Sequence, residues 1–137
     1  ELEVLASIKA RREGAGAELP RVTRTEVVDS RRIVEDHVHV SPHIRECLVD
    51  IANATRNNEH VLQGVSTRAL VLMVPALQAR ALTQGRNYVS ADDIAALSTL
   101  VFGHRLELAP GAAAAEEVVR ECSQDALERL ARVTLTA

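Results

Sequence analysis

Aromatic residues are nearly missing from this chain: of 137 residues, one is Tyr, one is Phe and none is Trp. That scarcity argues against a surface that stacks nucleobases, since single-strand binders lay successive bases on aromatic rings. It also disfavours a sheet, whose strands prefer β-branched and aromatic side chains, whereas the Leu- and Ala-rich apolar mass here suits packed helices. A basic excess is lacking too. The formal net charge of -3 excludes the cationic face that a duplex-binding protein needs. No apolar run approaches the ~20 residues of a membrane-spanning helix, and the N-terminal stretch does not read as a secretory signal. Cysteine is sparse. Cys47 and Cys122 lie far apart on apolar helical stripes and read as buried thiols of a reducing compartment, which points to the cytoplasm.

Several catalytic signatures are absent as well. There is no GxxxxGK[ST] phosphate loop, and no apolar strand ends in paired acids that could hold Mg²⁺. No GxSxG nucleophile turn occurs, and Ser41, Ser66 and Ser90 are all explained as helix caps. The chain alone is therefore not expected to hydrolyse ATP.

What is present is helical punctuation. ELEVLASIKARR carries Leu2, Leu5 and Ile8 at helical spacing from its first residue, as expected of a piece cut from a longer protein. Thr23 or Thr25 opens a helix that runs to Glu35, and Glu26, three residues after Thr23, suggests a capping box. HVHV (His37 to Val40) reads as an extended link. Ser41-Pro42 is a strong start for a helix with Ile44, Cys47, Leu48, Ile51 and Ala52 on one stripe. Asn87 to Val89 is short and extended, and SADD (Ser90 to Asp93) opens a helix to Phe102 lined by Ile94, Leu97 and Val101. A last helix from about Ala113 to Val133 carries Val119, Cys122, Ala126, Leu130 and Val133. Residues 1–137 thus read as one all-α, bundle-like domain of about six helices without a convincing sheet.

The central stretch, Gly64 to Arg86, is the richest. Ser66 caps a helix that Gly85 closes, and Ala69 to Leu77 make it apolar on nearly every side, as expected of a rod surrounded by other helices. Pro75 inside it removes a hydrogen bond and crowds the Val71 carbonyl, at ~3 kcal/mol unless the helix bends, so a kink is expected near Val71–Pro75. Arg68 is the anomaly. A cation in a first turn is disfavoured by roughly 0.3–1 kcal/mol, whereas a guanidinium beside free helix N–H groups suits an anion. Pairing with an acid of a neighbouring helix is the plainer alternative for it.

Two further candidates are weaker. Arg56 either satisfies carbonyls at its own helix end or makes a second phosphate or interface contact. His37, His39 and His43 invite a metal, but no acidic or Cys partner follows at ligand spacing, so no metal is expected.

ATR (Ala54 to Arg56), GVSTRAL (Gly64 to Leu70) and ARALTQGRNYVSADDIAALSTLVFGHRLEL (Ala79 to Leu108), in that order, resemble the C-terminal lid of MoxR-family AAA+ ATPases. The resemblance covers about Val40 to Leu108. It implies a lid that follows a nucleotide-binding α/β core lying upstream of this fragment. Arg68 matches the lid-helix arginine that senses the β/γ-phosphates of ATP. ATP and Mg²⁺ are then cofactors of the intact protein, with none expected on the fragment. The implied partners are the protein's own core, neighbouring subunits of a hexameric ring, and proteins carrying von Willebrand factor A domains, in a chaperone-like or metal-insertion-assisting role. Three positions depart from the pattern: Thr67 where Pro is common, Pro75 within the helix, and Gly103 before His104-Arg105. The opposing reading is a free-standing helical adaptor that binds a protein and no nucleotide. A phosphate loop upstream of Glu1 would decide against it.

Overall fold

The computed structural model describes residues 20–135. The expected helix at Leu2–Ile8 lies outside them. The chain divides into two compact units at Arg31–Arg32, within the first described helix. Five helices are described: α1 (Arg24–His37), α2 (Pro42–Asn57), α3 (Thr67–Thr83), α4 (Ala91–Phe102) and α5 (Ala115–Leu135). A two-stranded ribbon, β1 (Val61–Gln63) with β2 (Glu107–Leu108), joins the α2–α3 connection to the chain that leaves α4.

The capping residues do what their chemistry allows. Thr23 and Glu26 form the reciprocal box at α1, with the Glu26 carboxylate accepting from the Thr23 N–H at 2.7 Å and the Thr23 hydroxyl accepting from the Glu26 N–H at 3.2 Å. Ser41 caps α2 through the Ile44 N–H, with Pro42 in its first turn. Gly85, at φ 74, supplies the left-handed residue after α3. At the end of α4 a 3-10 turn (Gly103–Arg105) follows. There the His104 ring and the Arg105 Nε bond the Leu100 and Val101 carbonyls, each at 3.1 Å. Both basic side chains thus satisfy helix-end acceptors, as the negative end of the dipole favours.

The core of the 32–137 unit is built by Ile44, Leu48 and Ile51 of α2, Met73 and Leu77 of α3, Ile94 and Phe102 of α4, and Val119, Ala126 and Leu130 of α5. The extended link is present: His39 bridges Tyr88 in parallel, so the segments entering α2 and α4 run side by side. Cys47 and Cys122 are free and buried. Burial, then the nearby Asp50 carboxylate, push the Cys47 thiol up to about 11, and burial raises Cys122 as well.

Three expectations need correction. The ribbon was not anticipated, because Val61–Gln63 and Glu107–Leu108 are too short to show alternation. The long helix α3 is not enclosed. Its buried line is Ala69, Met73, Leu77, Gln78 and Ala81, while Val71, Leu72 and Leu82 are 67%, 49% and 45% exposed. Apolar composition overstated its burial, because only one face of the helix meets the domain. Val133, placed on the inner stripe of α5, is 40% exposed. Pro75 does not break α3, which runs from Thr67 to Thr83. The carbonyl that loses its donor belongs to exposed Val71, where water can replace the missing N–H.

Candidate functional site

The site is built on the junction between α2 and α3. Thr55 and Arg56 occupy the last turn of α2, and both reach across to one residue, Val65. The fully buried Thr55 hydroxyl donates to the Ala52 carbonyl at 2.8 Å and accepts from the Val65 N–H at 3.1 Å. Arg56 Nε donates to the Val65 carbonyl at 2.9 Å, while its Nη1 reaches Asn53 Oδ1 at 3.3 Å. Consecutive side chains thus hold both polar backbone groups of Val65, whose own side chain is wholly buried. A buried N–H needs such a partner, and here a hydroxyl supplies it.

Gly64 makes the crossing close enough. A Cβ placed on it would lie 2.8 Å from the N, Cα and Cγ of Arg56. Gly64 is absent from the positive-φ residues, so space and not backbone conformation is what requires it. Gly64→Ala is therefore expected to push the strand–helix junction off α2 and to destabilise the domain by about 1–3 kcal/mol, as overpacking does. Urea unfolding measures it, and a wild-type midpoint would show that the junction has slack.

One residue past Val65, Ser66 caps α3, its hydroxyl accepting from the Ala69 N–H at 3.3 Å. Arg68 follows in the first turn, which holds no acidic residue. It is exposed, and among the described residues its side chain has no hydrogen bond and no ion pair. The plainer alternative for it, an acid from a neighbouring helix, is therefore not realised among those residues. What the arrangement offers chemically is an uncommitted guanidinium beside the donor-rich end of a 17-residue helix. A multiply charged oxyanion such as a phosphate is the ligand that such an end favours.

The far end of α3 is fastened just as firmly. Arg86, just past Gly85, forks onto fully buried Asp93 of α4, with Nη1 at 2.8 Å from Oδ2 and Nη2 at 2.7 Å from Oδ1. The Ser90 N–H and hydroxyl also donate to Asp93, at 2.9 and 3.1 Å. Arg80 Nε lies 3.3 Å from Asp93 Oδ1 but off a hydrogen-bonding line, a charge contact only. Burial alone would raise the Asp93 carboxyl. Arg86 and Ser90 outweigh it and hold the group below its ordinary range. In the middle of α3, buried Gln78 donates to the Val38 carbonyl at 2.8 Å. Helix α3 is thus tied at its start, middle and end, with Arg68 at the free tip of its first turn.

Sequence reasoning picked out Arg68 and Arg56 and missed Thr55, Gly64, Arg86 and Asp93. The signals were present in the ATR and GRNYVSADD strings, but pairings across loops have no periodicity to betray them. The histidines are not gathered. His37 bonds the Ile33 carbonyl and His43 faces Glu46, and among the described residues no three His, Cys, Asp or Glu side chains could hold a metal. No described helix is long and apolar enough to cross a membrane.

The AAA lid domain family matches residues 53–130, from Asn53 beside the Val65 clasp to Leu130 of α5, and the chain belongs to that family. It is 35% identical over 106 residues to YeaC, an uncharacterized protein of Bacillus subtilis, covering 74% of this chain and 33% of that protein. The chain thus spans about a third of that relative's length. Its fold is similar to that of a crystal structure described as a "putative ATPase" from Cytophaga hutchinsonii. The TM-score is 0.68 at 18% identity, over 86% of this chain and 41% of that one.

Proposed function

We propose that this chain is the lid of a MoxR-type AAA+ ATPase, and that Arg68 senses the nucleotide held by the core of the same subunit. The observation that carries this is the state of Arg68: exposed, without a hydrogen bond or ion pair among the described residues, and mounted on a helix start that Thr55 and Arg56 hold fixed. In the intact protein, ATP with Mg²⁺ on the core supplies the anion and the driving energy. Arg68 binds at the β/γ-phosphate end, where its planar fork makes two charge-assisted hydrogen bonds. Its grip weakens when the terminal phosphate leaves, and α3, tied along its length, carries that change to the rest of the lid as a rigid-body shift. In a hexameric ring the shift alters the angle between neighbouring subunits. The intact protein then works in the cytoplasm as a chaperone-like or metal-insertion-assisting machine, with proteins carrying von Willebrand factor A domains as partners.

The test is Arg68→Ala in the intact ATPase. Two lost charge-assisted bonds, at about 1.5–3 kcal/mol, lower ATP turnover by about 10- to 100-fold. Arg68→Lys recovers part of the loss, because an ammonium keeps the charge but not the fork. Wild-type turnover and nucleotide affinity in the alanine variant would sink the sensing role.

A further inference from the structure

We infer that Arg56 and Thr55 are positioning residues that set where Arg68 points, and that Arg56 is not itself a phosphate ligand. The inference rests on the sensing role proposed for Arg68. Three observations carry it. First, the Arg56 guanidinium is already engaged inside the domain: Nε is on the Val65 carbonyl at 2.9 Å and Nη1 on Asn53 Oδ1 at 3.3 Å. A phosphate could take the fork that includes Nε only by displacing the Val65 carbonyl. Second, both bonds to Val65 come from one turn of α2, so the peptide groups on either side of Val65 are held by the body of the domain. Third, Gly64 lets the chain touch the Arg56 backbone, which leaves the junction no room to slide. Arg68 stands three residues beyond this fixed point, on a helix whose cap at Ser66 follows Val65 directly. A long side chain magnifies any change in its base. Loosening Val65 therefore spreads the positions that the guanidinium of Arg68 visits, and oriented contacts suffer first.

Two measurements on the intact ATPase test this. Amide hydrogen exchange in Arg56→Ala should quicken at Val65 and in the first turn of α3, while α5 keeps its protection. The preference for ATP over ADP should fall by about 2- to 10-fold, the worth of one indirect hydrogen bond. Adding Arg56→Ala to Arg68→Ala should lower that preference no further, because Arg56 acts only through Arg68. Thr55→Ser keeps the hydroxyl and should behave as wild type, whereas Thr55→Val should repeat the Arg56→Ala result. If Arg56→Ala does not assemble, Arg56→Lys keeps the stem and charge without Nε and serves in its place. Additive losses in the double variant would make Arg56 a separate contact and overturn the inference, leaving the role of Arg68 intact. Unchanged exchange at Val65 would overturn it equally. An Arg68→Ala protein with wild-type ATP preference would overturn this inference together with the reading beneath it.

Discussion

Truncating Arg86 to alanine is expected to destabilise the domain by about 3–5 kcal/mol, more than truncating its partner Asp93. The asymmetry follows from burial. Without Arg86, a carboxylate with no exposed surface keeps only the two Ser90 donors and an off-line charge contact from Arg80. Stranding a buried charge is the costly way to break an ion pair. Without Asp93, the cations left behind are 24% and 36% exposed and can turn to water, so Asp93→Ala should cost nearer 1.5–3 kcal/mol, the worth of the charged hydrogen bonds alone (roughly). Because the two residues act as one unit, the double variant should lose clearly less than the sum of the singles. Chemical denaturation at pH 7 reads all three, and strict additivity would mean that the fork is ornamental.

The same pair sets a pH signature with a definite sign. In the wild type the Asp93 carboxyl lies below its ordinary value of 3.8, so its contribution is fully present above that pH and is lost as pH falls through the folded-state value. Removing Arg86 takes away the hydrogen bonds and charge that do most to oppose burial, so the carboxyl rises from its wild-type value. Protonation then relieves the stranded charge, so the deficit of Arg86→Ala relative to wild type should shrink as the solution is acidified from pH 7. A deficit that grew with acidification would contradict the assignment. Other carboxylates titrate in both proteins and cancel in the difference.

How much of this was legible in the sequence depended on the range over which each signal acts. Caps are local, so Thr23–Glu26, Ser41-Pro42 and Ser66 could be read from neighbouring letters and are found where expected. The inner stripe of α2 was legible because Ile44, Cys47, Leu48 and Ile51 repeat with the helix. For α3 composition misled: Val71 and Leu72 are as apolar as Met73, and nothing in a single chain says which face meets the core. Arg68 stood out because its charge opposes the helix dipole, a conflict visible at one position. Thr55 and Arg56 acquire their role only when the chain returns nine or ten residues later to place Val65 between them. The Arg86–Asp93 fork likewise closes across a loop and a helix start. Such contacts depend on where two elements meet, and tertiary geometry decides that.

Phe102→Ala should be the most damaging apolar substitution, at about 3–5 kcal/mol. Phe102 is the chain's one phenylalanine and heads its fully buried side chains by volume. It ends α4 where that helix and the following 3-10 turn both pack on α5. Its surroundings cannot readily close the gap. Apart from Met73 and Cys47 the core is made of Val, Ile, Leu and Ala side chains, no second buried aromatic is available among the described residues, and the β-branched residues have few rotamers with which to collapse. A drop in melting temperature of about 10–20 °C follows for a domain of this size. Phe102→Leu, which restores most of the volume, should lose under about 1.5 kcal/mol. Two residues away, Leu100 is 69% exposed, and Leu100→Ala should stay within about 0.5 kcal/mol of wild type. That contrast isolates packing from hydrophobicity, since both residues are apolar and lie on the same helix. The effect should also reach the functional end. Phe102 anchors the segment that continues into β2, β2 pairs with β1, and β1 leads directly to Gly64 and the Val65 clasp. Amide exchange at Val65 should therefore quicken in Phe102→Ala well below its melting point. Unchanged protection there would confine the loss to the α4–α5 interface and make the ribbon a passive neighbour of the clasp.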